Sequence, residues 1–184
     1  MTERTEDGRY LKLLVVLDEF TRECLAIEVS RSFTAREVIL ALQYLFAVRG
    51  APEHIRSDNG PEFVATRVQK WLAQACVRTL YVKKASPWEN GYVESFNGKL
   101  RDELLNGELF LSIAEARYVI DQWRLDYNHQ RPHSSLNWQT PAAYAAKLTE
   151  SADGTFRSAP LVDPLVGAAP LPTNQQAKQH PFLS

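Results

Sequence analysis

Two acidic residues stand where a carboxylate can do chemistry. Asp58 follows directly on a short strand-like run, within Ile55-Arg56-Ser57-Asp58-Asn59-Gly60-Pro61-Glu62-Phe63. A carboxylate at a strand end is held rigidly and faces the crevice where open sheets place their sites. Asp-Asn-Gly is equally a turn sequence, because Asp bonds its own backbone there, and the segment alone leaves both readings open. Glu94 falls one turn into the helical pattern Gly91–Arg101, off its apolar stripe, and Arg101, seven residues on, shares its face. A merely solvated glutamate would show the same spacing. Gly98 inside that helix costs about 1 kcal/mol against alanine, so it serves either a close approach by a ligand or helix packing. Lys99 beside it is either a phosphate contact or a solvated charge.

The elements that must position these residues alternate in type. Tyr10–Asp18 carries apolar residues on both faces, Leu11, Leu13, Val15 and Leu17 against Leu14 and Val16, which belongs to an interior strand of a sheet covered on both sides. Cys24–Ser30 reads as a second strand after a polar turn. Thr34 with Glu37 forms a capping box for a helix that buries Val38, Leu42, Leu45 and Phe46 and stops at Gly50. His54–Ser57 and Val77–Val82 are short strands. Between them, Pro61 suits a first helical position, and Val64, Val68, Trp71 and Leu72 carry a helical period. The spacing predicts helices over Gly91–Leu105 and Ser112–His129, and a short one from Pro141 to about Leu148. From Thr149 the last 36 residues hold five of the ten prolines and two of the nineteen aromatics, which reads as a disordered tail. The expected organisation is a layered α/β domain over 1–148 and a tail over 149–184.

Composition sets the outer limits. The chain has 184 residues, 45% hydrophobic and 23% charged, as in an ordinary globular protein. No apolar run approaches the roughly 18 residues a membrane span needs, and no secretion signal is visible, so a cytoplasmic protein with no membrane partner is expected. Cys24 and Cys76 read as buried thiols without a disulfide. The net charge of −1 argues against binding nucleic acid by general attraction and leaves a locally basic site open.

Together the segments are more specific than any one alone. Thirty-five residues separate Asp58 from Glu94, and Glu94 follows Ser86-Pro87-Trp88-Glu89-Asn90-Gly91-Tyr92-Val93. Tyr127-Asn128-His129-Gln130-Arg131-Pro132-His133-Ser134-Ser135-Leu136, Thr140-Pro141 and Asp18-Glu19-Phe20-Thr21-Arg22-Glu23 complete a set of blocks in order. These resemble the DDE transposases of bacterial insertion sequences with a retroviral-integrase-like core, over about residues 8–147. The resemblance implies a ribonuclease-H-like fold, a mixed sheet flanked by helices. It implies two Asp and one Glu around two Mg²⁺ ions, with Mn²⁺ an alternative, performing DNA cleavage and strand transfer in transposition. Paired hard cations about 4 Å apart activate the attacking oxygen and stabilise the leaving one. On this chain Asp58 corresponds to the second metal-binding carboxylate and Glu94 to the third. Arg101, Asn59 and Asn90 correspond to DNA contacts, Lys99 is a further phosphate contact or a solvated charge, and Arg131 and His133 are structural or DNA-positioning. The implied partners are element-end and target DNA, and a homo-oligomer or co-assembly with a separate recognition segment.

The first Asp of this family lies on the opening strand, just before a charged hairpin that here is Thr5–Arg9. The resemblance therefore places it before Met1, and the chain reads as a truncated frame whose opening central strand is missing. Asp7 looks like turn chemistry, and Asp18 matches a non-triad position. Loss of the opening strand is expected to leave the two halves of the sheet without a shared ladder. Two functions follow: a transposase core complete only with the opening segment restored, or a non-catalytic remnant that binds DNA or co-assembles with intact transposase as an inhibitor. A nuclease of the same fold is disfavoured by the block at 127–136.

Overall fold

Strand β2, Tyr10–Leu17, is the centre of a three-stranded antiparallel sheet, as its two apolar faces require. The structure is a computed structural model and describes residues 1–57, 65–81 and 91–153. β1 (Thr2–Arg4) and β3 (Cys24–Ser30) flank β2, with registers Glu3↔Leu11 and Val15↔Ile27. Helix α1 (Ala35–Arg49) leads to β4 (His54–Ser57), and α2 (Thr66–Gln74) leads to β5 (Arg78–Tyr81), which pairs parallel with β4. α3 (Gly91–Leu100), α4 (Ile113–Gln130) and α5 (Pro141–Asp153) complete the order, with a 3₁₀ turn at Ser134–Leu136. Only three residues of strand precede the hairpin, and no ladder joins the β1–β2–β3 sheet to the β4–β5 pair among the described residues.

Each face of β2 builds its own core. Leu11 and Leu13 pack with Phe96, Leu100, Ile120, Trp123 and Tyr127 of α3 and α4. Leu14 packs on the other side with Val38 and Leu42 of α1 and Val68 and Leu72 of α2. The capping box of α1 forms as read: Glu37 N donates to Thr34 Oγ1 at 3.3 Å, and Thr34 N donates to Glu37 Oε2 at 2.7 Å. Those bonds hold the Glu37 carboxyl below its ordinary range. At the other end Arg49 grips the buried Glu23 through both nitrogens, at 3.1 and 2.9 Å.

β3 is an edge strand, and side chains of α4 occupy its backbone. Cys24 N donates to Asn128 Oδ1 at 2.8 Å, and Asn128 Nδ2 donates back to Cys24 O at 2.9 Å. Arg117 Nε donates to Val29 O at 2.9 Å. Burial pushes the Cys24 thiol well up, so it is an inert core group.

Three elements differ from the sequence reading. The helix expected over Gly91–Leu105 changes at Leu100 into a π-helical turn, Arg101–Leu105. The widened turn lets Leu104 and Leu105 both enter the core, which successive positions of a regular helix do poorly. Cys76 is exposed rather than buried, because it turns the chain from α2 into β5 with φ at 58°. The last helix runs five residues past Leu148, to Asp153. The strand read as Val77–Val82 is described as Arg78–Tyr81; Val82, Pro61 and Val64 lie outside the described residues, and so does the tail beyond Asp153.

Asn128 is 4% exposed, so Asn128→Ala leaves a buried backbone N–H without its acceptor. The expected loss is about 1–3 kcal/mol, read as a lower urea midpoint at unchanged slope; an unshifted midpoint would contradict the clamp.

Candidate functional site

α3 presents its acid by burying the opposite side. Phe96 and Leu100 are the buried positions, and Phe96 meets Trp123 and Tyr127 edge-on at 5.5 and 4.9 Å. Trp123 and Tyr127 stack on each other at 5.4 Å. Glu94, in the first turn, is left exposed. Its carboxylate makes no hydrogen bond or ion pair among the described residues. One turn on, a Cβ at Gly98 would meet nothing within 4 Å, so the glycine serves no packing and leaves the face open. Arg101, which opens the π-turn, is exposed and likewise without an ionic partner among the described residues. An acid, an open glycine and a cation thus follow one another along one helix face.

Lys99 does not share that face. It lines a cleft with Tyr92, Ser95, Tyr127 and His133. Asp58, Asn59 and Asn90 lie outside the described residues. The chain reaches Asp58 from Ser57, the last residue of β4, whose Oγ is buried without a hydrogen-bond partner among the described residues. β4 and β5 run parallel, so both end at the same edge, where open parallel sheets place their sites.

The other titratable candidates have structural duties. Asp18 Oδ1 accepts from Phe20 N at 2.8 Å and Thr21 N at 3.2 Å, closing the β2–β3 turn. Asp7 is held far below the carboxylate range by Thr5 and Arg9. Arg131 pairs with Glu103 and lies 5.1 Å from the Trp123 ring centroid, while Trp123 Nε1 donates to Glu103 at 3.2 Å. His133 sets its ring edge against Tyr127 at 5.1 Å. Burial, then Lys99, Arg22 and Arg131, hold its imidazole below the ordinary value, while burial pushes the Tyr127 phenol up to about 12. Sequence reasoning missed Arg22, which the turn places in the cleft with φ at 64°; nothing local marks it. As a metal ligand, Glu94 supplies the hard oxygen that Mg²⁺ takes. No group of three or more His, Cys, Asp or Glu that could hold a metal ion occurs among the described residues.

Residues 1–87 and 75–141 match two family models, each described as an integrase core domain. The chain is 43% identical over 147 residues to a 31.7 kDa protein of insertion element IS407 from Burkholderia multivorans, covering 80% of this chain and 53% of that one. Against an insertion element IS136 protein of Agrobacterium fabrum it is 30% identical over 148 residues, 75% of each chain. The chain belongs to the insertion-sequence transposase family with an integrase core. It spans about half the length of the curated relatives it matches. Its fold is that of the HTLV-2 integrase catalytic core domain solved with magnesium, at a TM-score of 0.60 and 20% identity over 78% of this chain and 90% of that one. The ribonuclease-H-like α/β architecture expected of this integrase core is therefore present. No helix among the described residues is long and apolar enough to cross a membrane.

Two outcomes follow for the integrase core. Because the folded His133 value is depressed, the stability tied to its neutral ring is complete above 6.5 and lost as pH falls through the folded value. Urea midpoints should drop on acidification below 6.5, less steeply in His133→Gln; an imidazole titrating above 6.5 by NMR would contradict this. Gly98→Ala should raise stability by about 0.5–1 kcal/mol, since it gains helix propensity and meets open space. A lower melting temperature would show that the glycine packs against something.

Proposed function

We propose that this chain is the catalytic core of a DNA strand transferase in which Asp58 and Glu94 hold divalent metal ions, Mg²⁺ or Mn²⁺. The observation that carries the reading is the carboxylate of Glu94, in line with open Gly98 and with Arg101 on an exposed helix face, neither charge having an ionic partner among the described residues. Bound between such carboxylates, the metal pair supplies activation of the attacking oxygen and charge neutralisation at the leaving one. The protein's part is orientation. The buried Phe96–Leu100 side fixes α3, so Glu94 stays put, and Arg101 offers a guanidinium for a backbone phosphate one step along the strand. Gly98 lets that backbone pass close to the helix. Asn59 and Asn90 flank the two acidic segments and supply neutral contacts to the substrate, and Lys99 adds charge from the neighbouring face.

The magnesium-bound HTLV-2 core and the simian T-cell lymphotropic virus intasome, which share this fold, support metal-dependent work on DNA. Exposed Leu40, Tyr44 and Val48, spaced one helical turn apart on α1, support contact with a second copy of the chain.

The test is joining of a pre-cut DNA end to target DNA in Mg²⁺ or Mn²⁺. It is run on this chain and on a form extended at its N-terminus through an opening strand with its Asp. Activity is expected in the extended form. Glu94→Gln and Asp58→Asn should each lower it by about 100-fold or more, since loss of even an outer-shell partner costs about 10–100-fold. Full activity of Glu94→Gln would overturn the site. Silence in both forms with DNA binding retained would select the non-catalytic alternative, a DNA-binding or co-assembling inhibitor.

A further inference from the structure

A cleft of about 370 Å³ lies on the far side of α3 from Glu94, between the β2–β3 turn and the segment that follows α4. Arg22, Lys99 and His133 line it, with the hydroxyls of Ser95 and Ser135. Its two lining carboxylates are already engaged: Asp18 closes its own turn, and Glu19 pairs with Arg56 at 3.1 Å. Arg22 and Lys99 have no ionic partner among the described residues. Arg22 lies over the Tyr92 ring, 3.5 Å from its centroid, and its Nη1 is buried without a hydrogen-bond partner among the described residues. A buried guanidinium donor without an acceptor is costly, and an anion placed in the cleft satisfies it.

The rim adds a second, independent observation. Trp138 is 75% exposed with φ at 61°, next to Asn137 at 54°. A left-handed backbone is unfavourable for a bulky residue, and such strain concentrates at ligand sites. Trp138 N donates to His133 O at 2.9 Å, which fixes the indole's backbone at the edge of the cleft. Of the four non-glycine residues with positive φ among the described residues, Arg22 and Trp138 both line this cleft.

We propose that the cleft binds an unpaired nucleotide of a DNA strand, with its phosphodiester against Arg22 and Lys99 and its base stacked on Trp138. Exposed aromatics beside a cationic groove are how single strands are held without sequence readout. The assignment rests on the DNA-substrate reading above and adds a contact separate from the Glu94–Arg101 face.

The experiment is fluorescence anisotropy of the 184-residue chain with a labelled single-stranded oligonucleotide and with a blunt duplex, each over a salt series. Arg22→Gln should weaken single-strand binding about tenfold and reduce the salt slope by about 0.7, one phosphate contact. Arg22→Lys should restore the slope. Trp138→Gly should weaken single-strand binding about fivefold or more while melting no lower than the parent, because glycine relieves the positive φ. That variant decides the matter should Arg22→Gln fail to fold. Unchanged single-strand affinity in Trp138→Gly overturns the proposal. So does displacement of the strand by inorganic phosphate with no effect of Trp138→Gly, which would make the cleft a simple phosphate site. Duplex binding with single-strand binding insensitive to both residues overturns the cleft and leaves the strand-transferase reading standing; no binding to any DNA overturns both.

Discussion

The two apolar faces of β2 constrain everything else in this fold. A strand with Leu11 and Leu13 on one side and Leu14 on the other must be covered twice. One cover is α1 with α2, and the other is α3 with α4. Neither layer is optional, since each alone would leave a row of leucines in water at about 25 cal/mol per Å². The placement of the Glu94 face is downstream of this requirement. α3 reaches the sheet because Phe96 and Leu100 fill the second face, and Glu94 is exposed because those two are not.

The cover over β3 is unusually specific. Apolar packing sets how close α4 lies, but it does not set the axial position of a helix on a sheet. The paired bonds between Asn128 and Cys24 do, because a side-chain amide can satisfy both groups of one residue in only one register. The same contacts occupy the open edge of β3, which otherwise would offer itself to another strand. With α4 fixed, Trp123 and Tyr127 have defined positions, and through Phe96 so does the helix that carries Glu94.

Much of this was legible because it is local. The two apolar faces of β2, the Thr34–Glu37 box and the apolar stripe of α3 each depend on residues within a turn or two, and each forms as the pattern requires. What was not legible depends on distance in sequence. The π-turn at Arg101–Leu105 answers a core that wants both Leu104 and Leu105, a demand made by residues elsewhere in the chain. The exposure of Cys76 follows from its left-handed backbone, which an apolar neighbourhood does not announce. Asn128 was quoted as part of a motif, yet its bond to Cys24 spans 104 positions. The cleft of Arg22, Lys99 and Trp138 is assembled from three separate segments. For the site itself, the face of Glu94 and Arg101 followed from helical spacing, whereas the split of Lys99 onto another face required the packed helix.

Net charge is the measure that misleads most here. A total of −1 suggests a surface indifferent to DNA, but the total mixes neutralised charges with free ones. Glu19, Glu23, Glu103 and Asp121 each face an arginine, Arg56, Arg49, Arg131 and Arg124 in turn. In each pair the two charges cancel at short range, Asp121 and Arg124 within α4 and the other three between separate segments. Arg22, Lys99 and Arg101 have no ionic partner among the described residues, and all three lie on or beside α3. At a Debye length of about 8–10 Å a phosphate senses the charges next to it and little of the rest. The relevant quantity for a DNA strand on this helix is therefore the local balance of charge, in which Arg22, Lys99 and Arg101 stand against Asp18, Glu94 and Asp102, and Glu94 is the carboxylate that a divalent metal ion would neutralise under the proposed function.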